Sequence, residues 1–238
     1  MFGPVFFFIA GVGVAMLLLG LILLVWQRSQ AAPAMEVRDA PSPTASGPTA
    51  DPFAQHWSQR LLEMLEWKRL EEVITAYIRL LGFEATTTGI GEDGVLHVAV
   101  AERGQAKPAM LIQCKAWNRG KVDDRAVQAL HGAMTEAQAG QAAFFSTGGF
   151  TVAAVTYAKA HDIDLVNGSE FLDRLGQLPL NAQNELLDLA TDGDYQTPTC
   201  PACGDKMVRR VIVKGEQSGV YFWGCRNYPG CMRTFPIG

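Results

Sequence analysis

The chain is poor in cysteine, in charge and in basic excess. Five cysteines among 238 residues are too few for a disulfide-stapled scaffold. Lys and Arg number 20 against 24 Asp and Glu, a formal net charge of -4, so the protein is not a uniformly basic nucleic-acid binder. Charged residues make up only 18% and hydrophobic residues 48%, enough apolar material to fill a core, which excludes a wholly disordered chain. No internal repeat is present from Phe53 to Gly238.

What is there falls into three zones. Residues 3–26 (GPVFFFIAGVGVAMLLLGLILLVW) contain no charged side chain. A helix rises about 1.5 Å per residue, so about 20 apolar residues cross a bilayer. No Lys or Arg precedes the run, and it is longer than a signal-peptide core, so it reads as a retained transmembrane helix rather than a cleaved leader. The first flanking charge, Arg28, lies on its C-terminal side. Positive residues favour the inner side, so the expectation is a single-pass protein of the inner (cytoplasmic) membrane with its soluble domains in the cytoplasm. Residues 27–52 carry prolines at 33, 41, 43, 48 and 52 among Ala, Ser and Thr and are expected to be a flexible linker. The folded material follows as a domain at 53–190 and a small module at 198–238.

The small module holds four of the five cysteines: Cys200, Cys203, Cys225 and Cys231. The pattern is C-x2-C, 21 residues, then C-x5-C. Two sulfurs of a C-x2-C turn reach one ion, and zinc takes four thiolates tetrahedrally. Between the pairs, two β-branched and aromatic runs flank a Gly-containing turn, which predicts a hairpin. The sum is a zinc ribbon, whose metal would supply much of the folding energy of so short a module. Six basic residues stand there against Asp205 and Glu216, a local +4 inside a chain of -4. Concentrated positive charge is the footprint of a phosphate-binding surface, with Arg209, Arg210 and Arg226 as candidates. Tyr221, Trp223 and Tyr228 would either stack on unpaired bases or fill the ribbon core.

In the larger domain, Leu70, Val73, Ile74, Tyr77, Ile78 and Leu81 repeat at helical spacing from Trp67, and Gly82 supplies a stop. The rest predicts strands at FEATTTG, VLHVAVAE, AMLIQCKAW, AAFFST and DIDLVNG. Helices are predicted over Asp123 to Ala139, Phe150 to Ala160, Ser169 to Leu175 and Pro179 to Ala190. The order α-β-β-β-α-β-α-β-α implies an α/β fold, a mixed sheet flanked by helices on both faces. Gln113, Cys114 and Lys115 end the third strand. Alternation puts Gln113 and Lys115 on one face and Cys114 on the other, where it fills core.

Two resemblances add to this reading. The stretches CPACGDKMVRR and FWGCRNYPGC, closed by Phe235, resemble the C4 zinc finger at the C-terminus of bacterial type I topoisomerases. That implies DNA binding, often of single strands. The stretches LEEVITAYIRLLGF, GEDGV, LIQCKAW, ALHGAMTEAQAGQAAFFSTGGFT and IDLVNGSEFLDRL resemble the Mrr-like restriction endonuclease domain, a branch of the PD-(D/E)xK nucleases. The resemblance implies a membrane-anchored, metal-dependent DNA endonuclease of the type IV restriction (Mrr) kind, hydrolysing phosphodiester bonds with Mg²⁺ or Mn²⁺. Gln113 and Lys115 match the motif pair, and Glu71 matches a helix glutamate that supports the metal-bound water network, with Glu72 as the neighbour that a one-residue shift of the match would select. Nucleases of this type often cut both strands as homodimers. The sequence departs from the family where D-G-G-[IV]-D is usual: it reads Asp93-Gly94-Val95-Leu96-His97, which puts His97 at the metal-ligand position. Three readings follow. Asp93 or Glu92 substitutes from the preceding turn, His97 binds a softer metal, or the domain is a catalytically degenerate, membrane-tethered DNA-binding protein.

Overall fold

The structure, a computed structural model, describes residues 36–41, 52–87, 97–105, 107–116 and 120–237. The apolar run at 3–26, most of the linker, and Glu92 and Asp93 lie outside these residues. Among the described residues no helix is long and apolar enough to cross a membrane.

The first element was not anticipated. Glu36–Asp39, within the expected linker, forms a strand, β1. A short 3₁₀ turn (Pro52–Gln55) leads to helix α1 (Gln59–Met64), also missed, capped by the Ser58 side chain accepting from the Leu61 N–H. Leu61, Leu62 and Leu65 are fully buried.

Helix α2 (Trp67–Leu80) follows the predicted period, burying Leu70, Val73, Ile74, Tyr77 and Ile78 on one side. It ends where Gly82 takes φ +96°, a left-handed value that disfavours a side chain. Strands β2 (Glu84–Thr87), β3 (His97–Ala101) and β4 (Met110–Lys115) come next. Helix α3 (Asp124–Glu136) precedes β5 (Gln141–Ser146), and α4 (Val152–Ala160) precedes β6 (Ile163–Asn167). Helices α5 (Gly168–Gly176) and α6 (Leu180–Thr191) complete the domain. Side-chain caps fix three of these starts. Asp123 accepts from Ala126, Thr151 accepts from Ala154, and Asn167 forms a capping box with Glu170.

The sheet order is β2-β3-β4-β5-β6. The first two pairings are antiparallel and the last two parallel, so the sheet is mixed, as expected. Two cores lie on its two faces. One joins Leu61, Leu70, Ile74, Val98, Ile112, Phe145 and Phe171, under α1, α2, α5 and α6. The other joins Leu111, Val127, Leu130, Phe144 and Ala154, under α3 and α4. Phe144, fully buried, sits edge-on to Phe150 at 5.9 Å between ring centroids.

The C-terminal module contains β7 (Met207–Lys214), β8 (Tyr221–Cys225) and β9 (Thr234–Pro236), in a sheet of order β1-β7-β8-β9. The chain divides into two compact units. One contains β1 and Arg209–Phe222; the other contains Pro41–Val208 and Trp223–Gly238.

Candidate active site and metal centre

Strand β4 is the centre of the larger sheet, with β3 antiparallel on one side and β5 parallel on the other. Its alternation is as expected. Ile112 belongs to the core under α2, with Cys114 packed against it, and Leu111 to the core under α3. Gln113 follows the parity of Leu111 and so lies on the α3 face. Its register partners are His97 on β3 and Phe144 on β5, and Lys115 is the partner of Ser146. The backbone thus brings His97, Gln113 and Lys115 to one end of two paired strands.

Gln113 is 7% exposed, and its Oε1 finds no hydrogen-bond partner among the described residues. A buried acceptor left unpaired costs about 1–3 kcal/mol, so its retention calls for an explanation. Oxygen donors suit the hard cations Mg²⁺ and Mn²⁺. An orphaned buried amide oxygen two residues before a lysine fits a metal-ligating role.

Glu71 stands apart from this pair. It lies on α2, the helix covering the opposite face, and is 5% exposed. Burial pushes its carboxyl up to about 7; the Glu72 charge adds to this, Lys68 opposes it, and Glu66 adds further. Burial, with the Glu71 charge adding, also holds the Cys114 thiol well above its ordinary range. Glu71 thus sits on the helix that packs over the Ile112 and Cys114 side of β4.

In the C-terminal module, the sulfurs of Cys200, Cys203, Cys225 and Cys231 all lie within 4.8 Å of one another. Cys200 and Cys231 sulfurs are 3.7 Å apart, and those of Cys203 and Cys225 are 3.4 Å apart. Four thiolates at about 2.3 Å from one zinc would be separated by about 3.8 Å, so the cluster fits a tetrahedral ion. Burial, reinforced by hydrogen bonds among the neighbouring thiols, pushes Cys225 up to about 12. A cation taking this site would have to displace that proton. Backbone and side-chain N–H groups of Asn227 point at the Cys225 and Cys203 sulfurs, at 3.4 and 3.6 Å.

Of the candidate nucleic-acid contacts, Trp223 is corrected. It is 6% exposed and packs with Cys200, Met207 and Cys225 in the module's core. Its indole is the largest apolar group available to so small a core, and burial claims it. Tyr221 and Tyr228 remain 44% and 58% exposed, and Arg226 is exposed. The Arg209 guanidinium lies 4.2 Å over the Tyr221 ring, a cation–π pair. Arg210 is held by Asp39, Nε to Oδ1 at 3.0 Å.

One residue of consequence was not foreseen. Glu66, 2% exposed, caps α2 by accepting from the Lys68 N–H. The same carboxylate accepts from the Thr199 N–H (3.2 Å), the Thr199 hydroxyl (2.8 Å) and Lys206 Nζ (3.2 Å). Trp67 Nε1 donates to the Thr199 carbonyl at 2.7 Å. The residue preceding Cys200 is therefore fastened to the first turn of α2.

Residues 62–175 match the restriction endonuclease family Mrr_cat. The matched segment runs from α1 to α5, slightly less than half of the chain, and contains Glu71, His97, Gln113 and Lys115. Among solved structures, the DNA modification-dependent restriction endonuclease AspBHI is similar at 16% identity and a TM-score of 0.39. The similarity covers 55% of this chain and 38% of AspBHI, so the chain spans well under half of that enzyme. No curated protein is similar enough to count as a relative. The Mrr_cat segment ends at Leu175, so the cysteine cluster lies outside it.

Proposed function

We propose that this chain is a metal-dependent DNA endonuclease of the type IV restriction kind, with a C4 zinc ribbon that binds DNA and an N-terminal membrane anchor. The observation that carries the reading is the orphaned, buried Oε1 of Gln113 two residues before Lys115, inside the segment that matches Mrr_cat. Gln113 would hold Mg²⁺ or Mn²⁺, with Asp93 or His97 as the second ligand. When bound, such an ion polarises the phosphate and lowers the pKa of an attacking water. Lys115 supplies fixed positive charge where negative charge builds on the phosphate. The sheet holds both side chains on one strand, so their spacing is set by the backbone rather than by a loop. Cys200, Cys203, Cys225 and Cys231 would hold zinc. Arg209, Tyr221, Arg226 and Tyr228 would meet the nucleic acid, phosphates through the arginines and bases through the rings.

A second reading is supported by one feature. The histidine at position 97, register partner of Gln113, leaves that pair without a carboxylate. On this reading the protein binds DNA without cutting it. Supercoiled plasmid incubated with Mg²⁺, Mn²⁺ or EDTA separates the two. Metal-dependent nicking supports the endonuclease, and binding without nicking under every condition supports the second reading.

A further inference from the structure

We infer that β1 is an autoinhibitory strand, an intramolecular stand-in for phosphate that covers the basic edge of β7 and is displaced when the ribbon binds nucleic acid. This rests on the reading of the ribbon as a DNA-binding module. The strand and the cations it covers all belong to the unit that contains β1 and Arg209–Phe222.

Strand β1 pairs antiparallel with β7, and the register sets Glu36 opposite Lys214 and Asp39 opposite Arg210. Both pairs are ionic. Lys214 Nζ is 2.5 Å from Glu36 Oε2, and Arg210 Nε is 3.0 Å from Asp39 Oδ1; Glu36 Oε1 also accepts from Arg38 Nη2 of β1 itself at 2.8 Å. Two of the cations that give the ribbon its local excess are thus occupied by carboxylates from the same chain. A carboxylate presents acceptor oxygens to these groups much as a phosphate does.

The contact is built to be displaceable. In each pair one side chain faces solvent, Asp39 at 75% and Lys214 at 65% exposed, while Arg210 and Glu36 are 15% and 34% exposed, so each pair is open to a competing ion from one side. The strand is four residues long and its register is irregular between Glu36 and Val37. Its backbone bond from the Ala40 N–H to the Arg209 carbonyl (2.8 Å) brings the chain back beside the cation that stacks on Tyr221. A polyanion offers many phosphates at once and gains from counterion release, which four residues carrying two carboxylates, one of them shared with Arg38, do not match. The acidic strand would therefore screen the ribbon against weak, adventitious anions and yield to a nucleic acid.

The test uses the purified full chain and a fluorescent single-stranded oligo-dT. Binding is measured over about 50 to 200 mM salt for wild type, Glu36→Gln/Asp39→Asn, and a control with the same charge change elsewhere, Glu102→Gln/Glu185→Gln. The β1 variant should bind more tightly than the control. Its slope of log K against log salt should match that of wild type, because β1 is displaced in both complexes and the same phosphates are neutralised. In wild type, amide exchange at Val37, Arg38 and Asp39 should accelerate when oligo-dT saturates the protein. Equal affinity in both double variants, with those amides still protected in the complex, would overturn the inference while leaving DNA binding intact. No binding by any of the three proteins at low salt would overturn the ribbon's DNA-binding role, and this inference with it.

Discussion

Replacing Glu71 by Gln should stabilise the fold at alkaline pH, and by an amount the structure allows to be worked out. The carboxyl is 5% exposed, and its pKa is raised from 4.5 to about 7, first by burial and then by Glu72. A carboxyl raised on folding costs nothing below the unfolded value, where both states are protonated. Between about pH 4.5 and 7 the folded state binds more protons than the unfolded state, so stability falls by about 1.4 kcal/mol per pH unit. Above pH 7 the cost is complete, at about 3 kcal/mol. Glutamine has nearly the same volume and no charge to desolvate. Urea unfolding at pH 5, 6, 7 and 8 should therefore show Glu71→Gln more stable than wild type by about 3 kcal/mol at pH 8, with the gain shrinking towards zero below pH 5. A stability difference that does not change with pH, or one that favours wild type at pH 8, would refute the claim that the buried charge is uncompensated. A group kept at such cost inside the Mrr_cat segment is the pattern expected where stability is traded for function.

Other consequences can be checked directly. Glu66→Ala leaves the Thr199 donors and Lys206 without their shared acceptor, so it should cost about 3–5 kcal/mol by denaturant unfolding; a near-neutral effect would mean that the clamp adds no stability. Trp223→Ala should lower the melting temperature by the loss of about 3–5 kcal/mol of buried indole. Tyr228→Ala should lower melting by less than Trp223→Ala and weaken oligo-dT binding by about 1–3 kcal/mol. The reverse pattern in those two variants would contradict the assignment of one ring to the core and the other to the surface.

Much of the nuclease-like domain was legible in its periodicities. The stripe Leu70–Val73–Ile74–Tyr77–Ile78 fixed α2 because burial on one side needs that spacing. The alternation in β4 put Gln113 and Cys114 on opposite faces because a strand has a period of two. What was not legible depends on partners distant in sequence. The tetrapeptide Glu36-Val37-Arg38-Asp39 has no strand signal of its own among prolines and alanines; it pairs because β7 offers an edge and two cations. Glu66 reads as an ordinary helix-start residue, since its acceptors' partners, Thr199 and Lys206, lie more than 130 residues on. Residue type alone left Trp223 undecided, because stacking on bases and filling a small core draw on the same ring; burial decided it.

The central claim is that Gln113 and Lys115 form a hydrolytic site, and it is tested most directly by the rate at which the zinc-loaded full chain nicks supercoiled plasmid in Mn²⁺, beside Lys115→Ala. Removing a group that stabilises developing charge should cost about 100-fold or more in rate, with oligo-dT binding unchanged. Nicking that proceeds equally well in Lys115→Ala, or that persists in EDTA, would contradict the account.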